Sequence, residues 1–209
     1  MEVPANQQEV LYLETDIFGM QNKVTAKEYI EKMEEALHYT MPILPLEKWN
    51  MWVFQREEAI IVGNMATKLL ELGEGEWAEE MFFKVLHSLE KQMERTQIPY
   101  RGYIVITTGL INVLGEHKKY RQSMQQDEKI MKVLLNDTIE NIDFFLYDIC
   151  WSLYELAKEQ SDRKQEYQQW WKKLFLIVYQ LANFFYKETG VEFYKRRKEK
   201  YLQEELQSH

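Results

Sequence analysis

Apolar residues recur at helical spacing through most of the chain. Ile61, Met65, Leu69 and Leu72 fall three or four apart, and so do Trp77, Met81, Val85, Leu89 and Met93. That is the period of one helix face. The same period marks Ile104, Thr107, Ile111 and Leu114, and then Phe145, Ile149, Leu153 and Leu156. Between these two sets, Tyr120, Met124, Met131 and Leu135 predict a further helix, and residues 164–187 predict a long one. Upstream, residues 9–18 read as a short helix closed by Gly19. Thr25 opens the next helix, with Glu28 three residues on. This pairing satisfies free backbone donors at a helix start. Tyr29, Ile30, Met33 and Leu37 line one side of it, and Pro42 and Pro45 break the chain after it. No segment alternates as a strand does.

The helical pattern repeats. Leu72-Gly73, Leu114-Gly115 and Leu156-Ala157 each close an apolar stretch before a polar turn, and 114 − 72 = 156 − 114 = 42 residues. A fixed period between roughly 20 and 50 residues marks a stacked-repeat protein. The expected fold is all-α: a right-handed helical solenoid of about nine helices. A hairpin over residues 1–45 joins a continuous repeat region over 46–209. Such folds present a binding surface more often than they perform chemistry.

Composition narrows the function classes. The net charge of −8 argues against binding nucleic acid through phosphate contacts. The cluster Lys195, Arg196, Arg197, Lys198 and Lys200 reads as a solvated helix end. The single cysteine, Cys150, lies in an apolar helix and suits a reducing cytoplasm. The N-terminal residues have no basic start or apolar core of a signal peptide, and no apolar run reaches bilayer-spanning length. His38, His87, His117 and His209 are scattered, with no metal-ligand spacing and no catalytic partner. Gly73-Glu74-Gly75 follows no strand and is a turn, not a phosphate loop. Neither an enzyme nor a cofactor is expected.

Ala66, Gly73, Ala78, Phe82 and Val85 place small residues, a turn glycine and an aromatic as a tetratricopeptide repeat does. The second repeat keeps Thr108 and Gly115, and the third keeps Cys150 as its small residue. The chain thus resembles that family in degenerate, longer form. Residues 9–187 also resemble the C-terminal repeat region of peptide-sensing transcription regulators of Firmicutes, the Rgg, PlcR and Rap group. The similar stretches are Arg56-Glu-Glu-Ala-Ile-Ile-Val-Gly-Asn64 and Tyr147-Asp-Ile-Cys-Trp-Ser-Leu-Tyr154. This resemblance implies a cytoplasmic homodimer whose concave face takes a short signal peptide. Members of the group carry a helix-turn-helix domain ahead of the repeats. Here the hairpin already starts by residue 9, so direct nucleic-acid contact through this chain is not expected.

The repeat frame, started at Ala59, Arg101 and Asp143, assigns inner positions. Thr67 faces inward in the first repeat, Gly109 and Asn112 in the second, and Phe144, Tyr147, Trp151 and Tyr154 in the third, with Glu155 beside them. Small residues opposite aromatics make room for a ligand and supply apolar area. An amide such as that of Asn112 both donates to and accepts from a peptide backbone. Two readings stay open. Either these residues line a peptide groove, or the aromatics are core beneath helix 164–187 and the protein is an interaction scaffold with no small ligand.

Overall fold

A computed structural model describes residues 3–96, 101–134, 142–159, 163–185 and 199. Among them are eight α-helices, one 3-10 helix and no strand, which bears out the all-α fold. The charged last helix expected after Gly190, the basic cluster at 195–200 and the turn around Ser161 lie outside the described residues, Glu199 apart. The chain divides into two compact units, Met1–Lys118 and Lys119–His209.

The first unit holds α1 (Pro4–Met20), α2 (Ala26–His38), a 3-10 helix (Leu46–Met51), α3 (Arg56–Glu71), α4 (Gly75–Thr96) and α5 (Arg101–Glu116). Each α-helix packs on the next α-helix, α3 packs on both α4 and α5, and the 3-10 helix packs on α4. The N-terminal hairpin α1–α2 belongs to this unit through α2 against α3. Local chemistry sets the ends. Thr25 and Glu28 form the expected reciprocal cap on α2, and Gln55 with Glu58 forms a second one on α3. Gly73, at φ 80°, closes α3: its N–H bonds Leu70 O and the next N–H bonds Leu69 O. This left-handed closure satisfies the orphan carbonyls of the last turn.

Two glycines read from sequence as helix stops are not stops. Gly19 lies inside α1, which runs to Met20, and the left-handed residue is Asn22. A side chain at Gly19 would meet the Tyr29 ring at 2.8 Å, so this glycine lets α2 approach. Gly115 lies inside α5, because His117 N still bonds Val113 O, and the turn comes at Lys118 with φ 58°. Ala157 likewise sits within α7, not at a turn. The 42-residue frame holds instead in the lateral packing. A Cβ on Gly63 would lie 3.0 Å from Val105, and 105 − 63 = 42.

A buried polar chain ties this unit together. Gln8 Nε2 donates to Thr40 Oγ1 at 2.7 Å, and Thr40 donates to Glu58 Oε1 at 2.7 Å. Trp52 Nε1 and Gln55 N donate to Glu58 Oε2 at 3.0 and 2.8 Å. The Glu58 carboxylate, 1% exposed, is thus satisfied from three directions. Buried polar oxygens need such partners.

The second unit holds α6 (Tyr120–Leu134), α7 (Ile142–Glu159) and α8 (Lys164–Phe185). α7 packs on α6 and on α8. Its core is aromatic on the α8 side: Tyr147, Tyr154, Tyr167, Trp171 and Phe175 are all buried.

Candidate functional site

In the first unit, the inner positions of α3 and α5 form a partly open stripe. Thr67 and Asn112 are exposed, and Leu70, Val105 and Gly109 are half-buried. Thr67 Oγ1 donates to Gly63 O one turn back at 2.9 Å, which leaves its lone pairs able to accept. Asn112 presents its amide to solvent. Gly109 has a different local job from the one its sequence position implies. A Cβ there would lie 2.3 Å from the Phe82 ring, so the missing side chain makes room for Phe82 of α4.

In the second unit the expected aromatic wall divides. Tyr147 stacks edge-on against Phe175, with centroids 6.4 Å apart, and Tyr154 does so against Trp171 at 5.4 Å. Both tyrosines are core between α7 and α8. Trp151, its ring 6.2 Å from that of Tyr154 and packed against the same core, and Glu155 remain half-buried at the edge of that face. The Phe144 side chain lies outside the described residues. Glu155 pairs with Lys158 at 3.2 Å, and Lys158 in turn lies 4.2 Å over the Tyr154 ring.

Sequence reasoning missed two carboxylates in this second unit. Asp148 is three residues before Trp151 and seven before Glu155, which places all three on one helix side. Burial pushes the Asp148 pKa up to about 7. Asp127 on α6 is fully buried, and neither of its oxygens has a hydrogen-bond partner among the described residues. Burial first, and then the Asp148 and Glu128 charges, push it up to about 10. The run Gln125-Gln126-Asp127-Glu128 reads as a solvated face, and only the packing of α7 on α6 reveals otherwise. The Cys150 thiol is buried and its pKa is raised by burial, so it is no nucleophile.

One further concavity, of about 610 Å³, is lined by Gly73, Glu74, Gly75, Glu76, Trp77, Glu80 and His117. His117 Nδ1 lies 2.6 Å from Glu79 Oε2, and its ring occupies the space a side chain at Gly75 would need. The pair joins the end of α5 to the start of α4. Among the described residues no three His, Cys, Asp or Glu side chains group as metal ligands, and no helix is long and apolar enough to cross a membrane.

No protein-family model matches the chain, and no curated protein matches it. Among solved structures it is similar to Bacillus thuringiensis PlcR, in a crystal structure of the complex with the peptide PapR7 and DNA. The TM-score is 0.60 at 17% identity, with 91% of this chain and 62% of that chain covered. The chain thus spans less than two thirds of PlcR's length and shares its helical fold.

Proposed function

We propose that this chain is a regulatory module that binds a short peptide, as part of bacterial transcription control in the cytoplasm. The observation that carries the reading is a fold shared with a protein crystallised in complex with a peptide and DNA. The chain's own residues support it. Thr67 and Asn112 offer accepting and donating groups at the surface of the first unit, as an extended backbone requires. Trp151 in the second unit offers half-buried aromatic area with Glu155 one turn on, a combination that suits a peptide carrying an apolar or aromatic group. Binding would act by favouring one conformation or one state of a homodimer, which requires tighter affinity for that state.

The burial of Tyr147 and Tyr154 favours a second reading, a scaffold that docks a protein and takes no small ligand. Affinity selection from a pool of free heptapeptides, read by mass spectrometry on wild type and Trp151→Ala, separates the two. Peptides enriched by wild type and lost from the variant support the regulator. No enrichment, or equal enrichment by both, supports the scaffold.

A further inference from the structure

We infer that the outward face of α1 is a self-association seam on which a second copy of this chain docks its own α1 in parallel. Val3, Val10, Leu13, Ile17 and Met20 are all exposed, from 47% to 77%. On the inner side of α1, Gln8 and Thr15 are buried and Leu11, Tyr12 and Phe18 are half-buried, so the exposed apolar positions are a second apolar face that the unit does not cover. The Gln8–Thr40–Glu58 chain pins it in that orientation, and so does the bond from the Tyr29 hydroxyl to Asp16 Oδ1 at 2.9 Å.

The spacing of the exposed residues identifies the occupant. Val10 and Ile17 are seven apart, Leu13 and Met20 are seven apart and offset by three, and Val3, the extended residue that caps the helix, lies seven before Val10. That is a strict heptad stripe, the mark of a surface that receives another helix. Its a positions are all β-branched, and its apolar d positions are Leu and Met. This choice favours two parallel strands. Gln8 and Thr15 fall at f, directly opposite, where a two-stranded seam has no contact. A stripe complementary to itself closes by two-fold symmetry with no other component.

Size and charge set the strength. The helix is 17 residues long, so the strip is about 26 Å by 10 Å. That is well short of the ~800 Å² each partner buries in a standard interface, and the pairing is therefore reversible. No Lys or Arg lies between Pro4 and Met20. In a parallel pair Glu9 of one protomer sits beside Glu14 of its partner, a like-charge contact that salt screens. This supplies a surface for the homodimer of the proposed regulator, and it rests on that reading only for its purpose, not for its geometry.

Sedimentation equilibrium on the full chain tests it. Wild type should dimerise with Kd on the order of 10–100 µM, tightening several-fold as NaCl rises from about 0.05 to about 0.5 M. Ile17→Glu and Leu13→Glu should stay monomeric with unchanged far-ultraviolet circular dichroism. Ile43→Glu, at another exposed apolar site, should match wild type. Asn6→Cys, at the remaining d position, should cross-link to itself on oxidation. A wild type that is monomeric up to about 1 mM, a dimer that survives Ile17→Glu, an association that weakens with salt, or an uncrosslinked Asn6→Cys would each overturn the seam. A dimer that binds no peptide leaves the seam standing and sinks the regulator reading. A monomer that binds peptide does the reverse.

Discussion

The Thr40 hydroxyl donates a hydrogen bond to Glu58 at 2.7 Å while accepting one from Gln8, so one side chain joins α1, the loop after α2 and the cap of α3. The carboxylate is buried, and each lost donor exposes the desolvation cost of what remains. Thr40→Val keeps the shape and removes both bonds. It should lower unfolding free energy by about 1–3 kcal/mol, measured by urea titration. A loss under about 0.5 kcal/mol, the range of neutral surface changes, would show that the chain of bonds carries no net stability.

Phe82 occupies the place a side chain at Gly109 would take. Gly109→Ala adds a methyl group to a filled core and should cost about 1–3 kcal/mol through overpacking, despite alanine's better helix propensity. Phe82→Leu in the same chain should recover part of that cost, because the two changes share one contact. Additive effects in the double mutant would contradict the contact.

How far the sequence speaks depends on the range of the interaction. The Thr25–Glu28 cap was legible because both partners lie within one turn. The 42-residue period was legible as well, and the structure adds what spacing does not say, that Gly63 and Val105, one period apart, meet in the packing. The turn expected at Gly115 was misplaced, because the helix carries through that glycine and ends by placing Lys118 in a left-handed conformation. At the candidate site, Tyr147 and Tyr154 looked the same as Trp151 by spacing. Only α8, contributing Phe175 and Trp171, turns the two tyrosines into core and leaves Trp151 half-buried. Asp127 was silent for the same reason: its burial is decided by α7, not by its polar neighbours.

Asp127 makes stability depend on pH. Its pKa is raised from 3.8 to about 10, and that of Asp148 from 3.8 to about 7, so the folded state binds protons that the unfolded chain has released. Stability from these groups is therefore greatest below pH ~4 and falls as pH rises toward their folded values. Asp127→Asn removes the penalty at Asp127. It should stabilise the protein near pH 8 by on the order of 2 kcal/mol, roughly 5 °C in Tm, and flatten the decline. Thermal melts between pH 5 and pH 9 check this. A variant that melts lower than wild type near pH 8 would mean the carboxylate is ionised and partnered.

In the proposed function a peptide lies against Trp151 and Glu155 on α7. Isothermal titration calorimetry of a heptapeptide selected on wild type, repeated on Trp151→Ala and Glu155→Ala, both on α7 of the second unit, checks it. Each variant should bind at least about tenfold more weakly, a loss of ~1.4 kcal/mol, with an unchanged melting temperature. Wild-type affinity in both variants would contradict the assignment of the binding face.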